Sequence, residues 1–264
     1  MEKQFRPDDS LPCSMIELDE VDSTNSYLRG LDVPCDQRLT LVTADFQTCG
    51  RGSGTNRWES EKGKNLLFSL CLMPRRLPVR RMFAISEATA LALVTALTSL
   101  VEEQAPACSP SFTIKWPNDI YYGDSKVAGM LIENDLQGAL VHRSVIGIGL
   151  NVNQRRFLSD APNPRSLADI VGHDLGRRRV LERFMERFAH YTDLLCEGKD
   201  SALDAMHEHY KEHLYRMGEE HKFIDEMGDF CARIVDVMPS GHLVLQDSDG
   251  NMRHYEFKQI KYVI

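Results

Sequence analysis

Hydrophobic positions change their period along this 264-residue chain, and the change predicts two regions of different structure. Up to about Gly218, helical and strand patterns alternate. Apolar residues recur at near-helical spacing over 84–101 and again over 181–195, which predicts two long helices. The segment from Asp200 to Tyr215 is predicted to form a third helix, and a short one is expected to end at Gly30.

Short apolar runs between these helices predict strands. The runs are Thr40 to Ala44, Asn65 to Leu72, Phe112 to Ile114, Ile120 to Tyr122, Lys126 to Ile132 and Val145 to Val152. Gly123-Asp124 predicts a hairpin turn between two of them. Ser23, Thr24 and Asn25 are side chains suited to capping the short helix.

The helical rhythm stops after Gly218. Strong turn signals then separate four short strand patterns, at Lys222 to Ile224, Phe230 to Val237, His242 to Gln246 and Met252 to Phe257. We therefore predict a main domain over residues 1–218 and a small β-barrel or meander over 219–264. The second part is too small to be stable without packing on the first.

Composition narrows the class of protein. A 42% hydrophobic and 27% charged chain is globular, and a net charge of −8 argues against a nucleic-acid surface. Seven cysteines without a CxxC motif indicate reduced thiols in a cytoplasmic protein. Residues 1–11 are polar and carry no signal-peptide core. Polar residues interrupt 84–101, so we expect no membrane-spanning helix there.

Charged and polar residues concentrate in Lys115-Trp116-Pro117-Asn118-Asp119, with Lys126 shortly beyond. Pro117 keeps Trp116 extended, and Asn118 with Asp119 predicts a polar corner between two strands. Two lysines, an amide and a carboxylate therefore converge at neighbouring strand ends. Such a set is suited to holding an anionic group and its metal.

Glycines mark two other candidate positions. Gly50, Gly52 and Gly54 surround Arg51, and such a loop either cradles a phosphate or carboxylate or is a flexible turn with a solvated arginine. It matches neither a dinucleotide fingerprint nor a Walker loop. The pair 147 and 149 in an apolar strand indicates either close approach of a ligand or a β-bulge.

The segment from His209 to His213 fits the H-x-x-E-H pattern of some zinc peptidases. Its two histidines are spaced to share one helix face. The surrounding helix is dense in charge, so we favour a solvated helix face over a metal site.

Five motifs taken together are more specific than any one of them. They occur in the order Asp22-Ser23-Thr24-Asn25, Gln47-Thr48-Cys49-Gly50-Arg51-Gly52, Lys115-Trp116-Pro117-Asn118-Asp119, Lys126-Val127-Ala128-Gly129 and Gly147-Ile148-Gly149-Leu150-Asn151. This order resembles the biotin protein ligase family over most of residues 16–153. The resemblance implies an α+β fold: a class II synthetase-like mixed sheet with flanking helices, followed by a small SH3-like β-barrel.

The resemblance also implies a two-step reaction. Biotin and Mg-ATP form biotinyl-5′-AMP, and a lysine of a biotin carboxyl carrier domain, as in acetyl-CoA carboxylase, then accepts the biotin. Lys126 and Arg51 would be catalytic, and Asp119 would hold Mg²⁺. The implied biotin-binding residues are Ser23, Thr24, Asn25, Gln47, Gly50, Arg51, Lys126, Gly129, Gly147 and Gly149. The implied ATP-binding residues are Arg51, Gly52, Trp58, Lys115, Asn118, Asp119 and Asn151.

The chain departs from the family pattern where many relatives carry a basic residue and a glycine, and here has Ser53 and Thr55. We expect easier release of biotinyl-AMP as a result. The C-terminal strand lacks the arginine that some relatives place near the nucleotide, and Lys258 is the candidate replacement. Only 21 residues precede Asp22, so we expect no helix-turn-helix and no DNA binding. The family also allows a homodimer.

Two rival functions remain open. A lipoate or octanoate ligase shares the chemistry, although Gln47 and the Gly-Arg-Gly loop favour biotin. A non-catalytic biotin-binding module is the second rival. The presence of Lys115, Asp119 and Lys126 argues against it.

Overall fold

A computed structural model of the chain describes residues 3–5, 13–34, 37–108, 111–158 and 163–264. Most of the polar N-terminal segment 1–11 lies outside the described residues. So does Cys35, one of the seven cysteines predicted to be reduced.

Within these residues, thirteen strands form two sheets. The strands are β1 (Lys3–Phe5), β2 (Cys13–Val21), β3 (Leu39–Gln47), β4 (Leu66–Leu72), β5 (Phe112–Lys115), β6 (Asp119–Tyr122), β7 (Ser125–Gln137), β8 (Leu140–Leu150), β9 (Glu220–Asp225), β10 (Gly228–Val237), β11 (Leu243–Asp247), β12 (Met252–Tyr255) and β13 (Lys261–Tyr262). The larger sheet has the order β1-β2-β3-β4-β8-β7-β6-β5. Only its β2–β3 pair is parallel among the described strands, so the predicted mixed sheet is confirmed.

Five α-helices flank this sheet within the described part of the chain. They are α1 (Thr24–Gly30), α2 (Ala84–Gln104), α3 (Leu167–Val171), α4 (Arg177–Glu197) and α5 (Asp200–Glu212). The predicted helix over 200–215 is three residues too long. After Glu212 the chain turns to bond with β5: the Ile114 N–H donates to His213 O, and the Tyr215 N–H donates to Ile114 O. These bonds replace a further helical turn.

The two faces of β4 show how the sheet is covered. Phe68, Leu70 and Leu72 belong to the main core, which includes α2 and α4. Cys71 points to the opposite face and packs in a smaller cluster with Leu28 of α1. Successive side chains of β4 therefore pack against opposite faces of the sheet, because side chains alternate between the two faces along a strand.

Helix α2 is the central core helix. The segment Val79–Gln104 is long and apolar enough to cross a membrane, with a mean hydropathy of 1.7. The polar residues within 84–101 had led us to expect no such segment. However, 78% of its most apolar window is buried inside the protein, as expected for the core of a globular fold. Glu87 on this helix forms a buried pair with His207 of α5, with 2.6 Å between Oε1 and Nδ1. Burial raises the pKa of Glu87; burial alone would lower the pKa of His207, but its bond to Glu87 raises it.

The C-terminal residues form a separate five-stranded sheet in the order β12-β11-β10-β9-β13. Its predicted strands are confirmed, and β13 is an addition. The sheet packs on the first region: Trp116 Nε1 donates to Gly241 O at 2.9 Å, and Arg216 Nη1 donates to Val263 O at 2.9 Å. Buried residues of both sheets belong to one continuous core.

Candidate active site

A cavity of about 480 Å³, partly open to solvent, lies on the α1 face of the larger sheet. Strand register explains its floor. Ser69, Gly147 and Leu131 lie side by side on β4, β8 and β7, and the next row holds Gly149 and Gly129. Small residues in adjacent rows leave a trough in the sheet surface.

Most of the residues singled out in the sequence meet at this cavity. Its walls include Ser23, Thr24, Asn25, Gln47, Arg51, Gly52, Trp58, Asn118, Asp119, Lys126, Gly129, Gly147 and Gly149. Three candidates lie outside its lining: Gly50, Lys115 and Asn151. Asn151 is buried at the end of β8, where its N–H donates to Val127 O at 2.9 Å.

One wall is a chain of buried polar groups. The Gln47 Oε1 accepts from the Thr24 N–H at 2.8 Å and lies 3.0 Å from Thr24 Oγ1. The Ser69 Oγ lies 2.7 Å from Thr24 Oγ1 and 2.6 Å from Asn25 Oδ1. Because an amide oxygen only accepts, the Ser69 proton goes to Asn25. Gln47 therefore satisfies the first amide of α1, and the predicted capping role is wrong for Ser23, whose side chain makes no capping bond.

Both glycines of β8 are required by close contacts. A Cβ on Gly147 would lie 2.8 Å from Asn25 Cγ, and one on Gly149 would lie 2.6 Å from Trp58 Cδ2. The strand keeps its pairing with β7 through both positions, so the alternative of a bulge there is wrong. The glycines make room for Asn25 and for the Trp58 ring.

Trp58 lies across the cavity floor. Its ring contacts Gly149 and Gly129, and Lys126 Nζ lies 5.8 Å from the ring centroid. The indole Nε1 is buried with no hydrogen-bond partner among the described residues. A buried donor without an acceptor is costly, and a ligand acceptor in the cavity would remove that cost.

The opposite wall carries an ion pair. Lys126 Nζ lies 2.5 Å from Asp119 Oδ1. Asn118 next to it donates from Nδ2 to Met130 O at 2.6 Å, and its own carbonyl accepts from the Met130 N–H at 2.8 Å. Asn118 therefore ties the polar corner to β7, while Asp119 holds the lysine at the cavity.

Lys115 is a neighbour of the cavity. Its Nζ lies 4.4 Å from the centroid of the Tyr262 ring and 5.5 Å from that of Tyr121. Burial lowers the pKa of Lys115, although Asp119 acts in the opposite direction. The aromatic faces partly replace the lost water around the ammonium group.

The glycine-rich loop folds back as a tight hairpin. Gly52 donates to Asn56 O at 2.8 Å, and Trp58 donates to Gly50 O at 3.0 Å. A Cβ on Gly50 would lie 2.5 Å from Trp58 O, so this position requires glycine. Lys258 of the C-terminal region contacts Gly54, which has φ of +68°. A second cation therefore reaches the loop from the other sheet.

Two residues of the site were missed as candidates in the sequence. Ser69 is the one polar residue in the otherwise apolar β4, and that exception was the available signal. Glu133 binds Arg51, with 3.0 Å from Oε1 to Nη2, and Asn25, with 3.0 Å from Oε2 to Nδ2. Glu133 ends the sequence stretch that continues through Lys126 and Gly129, but its partners are distant in sequence, so the sequence assigned it no role.

The H-x-x-E-H segment lies on the exposed end of α5. Candidate ligand atoms of His209, Glu212 and His213 lie within 4.8 Å of one another. His209 Nδ1 is 3.1 Å from Glu212 Oε2, and both side chains are largely exposed. A solvated helix face stays our interpretation.

Comparisons with known proteins agree with this geometry. The profile of the "Biotin/lipoate A/B protein ligase family" matches residues 18–151. The chain is 29% identical over 222 residues to the bifunctional ligase/repressor BirA of Bacillus subtilis, covering 82% of this chain and 64% of that protein. It thus spans less than two thirds of that relative's length. It is 30% identical over 180 residues to the biotin–[acetyl-CoA-carboxylase] ligase of Paracoccus denitrificans, covering 66% of this chain and 71% of that protein.

Solved structures show the same fold. The biotin protein ligase of Aquifex aeolicus in complex with biotin and ATP superposes with a TM-score of 0.74 and 26% identity, covering 94% of this chain and 99% of that one. The Leishmania major enzyme in complex with biotinyl-5-AMP has a TM-score of 0.61 and 21% identity, covering 92% and 98%.

Proposed function

Because this chain belongs to the biotin/lipoate A/B protein ligase family, we propose that it is a biotin protein ligase. It would join biotin and ATP into biotinyl-5′-AMP with release of pyrophosphate. It would then transfer the biotin to a lysine of a carrier domain with release of AMP. The observation that carries the proposal is the cavity itself. Uncharged donors and acceptors line it together with two cations, Arg51 and Lys126, and a row of glycines.

The polar wall suits the ureido ring of biotin. Such a ring offers two N–H donors and one carbonyl acceptor, and Thr24, Asn25 and Gln47 supply groups of both kinds, with Ser69 holding the first two in place. Gly129 and Gly149 let the Trp58 ring lie close against the sheet, and a flat bicyclic ligand would pack beside that ring. Ser23 would contribute at the start of α1.

The two cations would offset the repulsion between the anionic substrates of the first step. The biotin carboxylate must approach the α-phosphorus of ATP as a nucleophile, and two anions repel one another. Lys126 would bind the carboxylate and the charge that develops on the transferred phosphate, while Arg51 would hold phosphate oxygens. Asp119 keeps Lys126 in place before ligands bind. Catalysis then rests on positioning and electrostatics, without a covalent enzyme intermediate.

Asp119 also fits the Mg²⁺ of the nucleotide. It is the one carboxylate among the described residues that line the cavity, and Mg²⁺ is commonly held by one or two carboxylates together with phosphate oxygens. The ion would offset phosphate charge. Asn118 would position the nucleotide from the same corner.

The remaining ATP contacts lie at the edge of the cavity. Trp58 lines the cavity, and its ring would stack near adenine, while its unpartnered N–H would gain an acceptor if the ring shifted on binding. Gly50 and Gly52 would let the loop backbone close on the phosphates. Lys115 and Asn151 lie outside the cavity lining. They would contact ATP only after a shift on binding, or would affect it through the residues beside them.

Biotin-dependent exchange of pyrophosphate into ATP tests the function. We expect exchange with biotin for the unmodified protein and none for Lys126→Ala, because the carboxylate then loses its counter-charge. Circular dichroism should show that the variant stays folded. Exchange driven by octanoate or lipoate in place of biotin would identify the lipoate branch of the family, and no exchange with any acid would favour a binding module.

The partner in the second step would be the biotin carboxyl carrier domain of a biotin-dependent carboxylase. We further propose that the C-terminal sheet is the SH3-like domain of residues 219–264 and that the protein works in the cytoplasm without contact with DNA or membranes. The buried, unpaired Cys13, Cys71 and Cys196 support that location. Homodimers through the sheet edge follow from the family resemblance.

A further inference from the structure

Glu133 lies just beyond the cavity on β7. Positions 129, 131 and 133 share one face of this strand, and Gly129 and Leu131 line the cavity. Only 20% of the Glu133 side chain is exposed. A carboxylate this well covered requires partners, and it finds them on two different elements.

The first partner is the loop arginine. Arg51 Nη2 donates to Glu133 Oε1 at 3.0 Å, and Arg51 Nη1 lies 3.3 Å from Oε2. This paired geometry fixes the plane of the guanidinium group as well as its position. The remaining N–H groups of Arg51 stay available to an anion in the cavity.

The second partner is the polar wall. Asn25 Nδ2 donates to Glu133 Oε2 at 3.0 Å and to Leu131 O at 3.1 Å. Through Ser69 the same amide is bonded to Thr24. One continuous chain of hydrogen bonds therefore runs from Thr24 through Ser69, Asn25 and Glu133 to Arg51 of the loop.

We propose that Glu133 is a positioning residue that couples the biotin wall to Arg51. It holds the arginine at the cavity mouth before a ligand is present, and it transmits ordering of Asn25 to the loop. This inference rests on the proposed function, since it assigns Arg51 to the anion that the site binds.

Glu133→Gln tests the coupling. The Gln carbonyl can still accept from Asn25, whereas its NH₂ group opposes the Arg51 donors. The change therefore removes the loop contact, together with the longer ion pair to Arg29, whose Nη1 lies 3.7 Å from Glu133 Oε1. We expect the biotin Kd and the KM for ATP in pyrophosphate exchange to rise about tenfold, which corresponds to about 1.4 kcal/mol each. Thermal melting should change little. Tryptic cleavage after Arg51 should be faster in the absence of ligand.

Asp135→Asn is the matched control. Asp135 is the next carboxylate on the same face of β7, and it pairs with Arg143 at 2.8 Å and Arg29 at 3.1 Å but lies outside the cavity lining. The control should change both constants by less than about twofold. An equal effect of both variants would overturn the proposal, because it would assign the loss to the general charge of the strand.

A double-mutant cycle separates positioning from other roles. In an Arg51→Ala background, Glu133→Gln should change biotin binding by less than about twofold, since the contact has already gone. Additive effects of the two changes would overturn the proposal. Glu133→Asp keeps the charge near Arg29 but is one methylene too short to reach both partners, so it should also weaken binding. An unimpaired Glu133→Asp would contradict the coupling.

The same measurements distinguish a failure of the proposed function from a failure of the Glu133 coupling. A protein that neither binds biotin nor exchanges pyrophosphate would refute the proposed function. A protein that exchanges normally, with a Glu133→Gln variant equal to it, would refute the coupling alone.

Discussion

A single methyl group at Gly147 tests the architecture of the polar wall. The added Cβ would lie 2.8 Å from Asn25 Cγ, well inside van der Waals contact, so either the amide or the strand must move. The φ angle of Gly147 is not positive, so alanine itself is not strained there. The cost comes from the displaced neighbour.

The structure sets the size of that cost. The Asn25 side chain takes part in hydrogen bonds with Ser69, Leu131 and Glu133, and the residue is 3% exposed. At about 1 kcal/mol for each net bond, the free energy of unfolding should fall by about 3 kcal/mol if the amide is expelled. Biotin affinity should fall at least about tenfold, because the wall loses its central amide.

Urea denaturation and calorimetric titration with biotin measure the two effects. Gly30→Ala is the control, since a Cβ at Gly30, at the end of α1, meets nothing within 4 Å. It should leave biotin binding unchanged. If Gly147→Ala kept its biotin Kd within about twofold and its unfolding free energy within about 0.5 kcal/mol, the role given to Asn25 would be refuted.

Three further predictions follow from other positions. Ser53→Arg should slow the release of biotinyl-AMP from the purified protein, because the loop regains a phosphate donor; unchanged dissociation of the labelled intermediate would contradict this. Trp58→Phe should abolish the change in intrinsic fluorescence on biotin binding, since Trp116 is buried away from the cavity and remains as the only indole; a retained signal would argue against the position of Trp58. Glu87→Gln should destabilise the protein most below pH 6.5. The raised pKa of His207 gives stability that is complete below its ordinary value and is lost as the pH rises through the folded value, so a pH-independent difference in melting temperature would refute the pairing.

Periodicity predicted the parts of the fold that have long repeats. The helices α2 and α4 and the strand β4 each carry a pattern long enough to identify them. Strand β2 over 13–21 was missed because its outer half alternates between half-buried and exposed side chains. Strand β13 has two residues, and α3 has five, which is too short for any period.

The sequence likewise predicted only part of the candidate site. Motif order identified most of the cavity, including both cations and the glycine floor. It could not identify Ser69 or Glu133, whose contacts depend on how β4 and β7 align with α1. Nor could it show that Lys126 and Asp119, assigned to different ligands, bind each other. These contacts depend on the register between strands, and the spacing of motifs along the sequence does not determine that register.

The contacts of the C-terminal sheet constrain how such proteins can be recombined. Trp116 needs the carbonyl of Gly241, and Lys115 lies under the ring of Tyr262. In a chimera that joined residues 1–218 to the C-terminal region of a relative, the indole would keep an acceptor only if a backbone carbonyl lay where Gly241 places its own, and the lysine would lose its cover if no ring replaced Tyr262. A chimera should therefore take residues 115–116 and the C-terminal region that contacts them from the same parent, so that both contacts are kept.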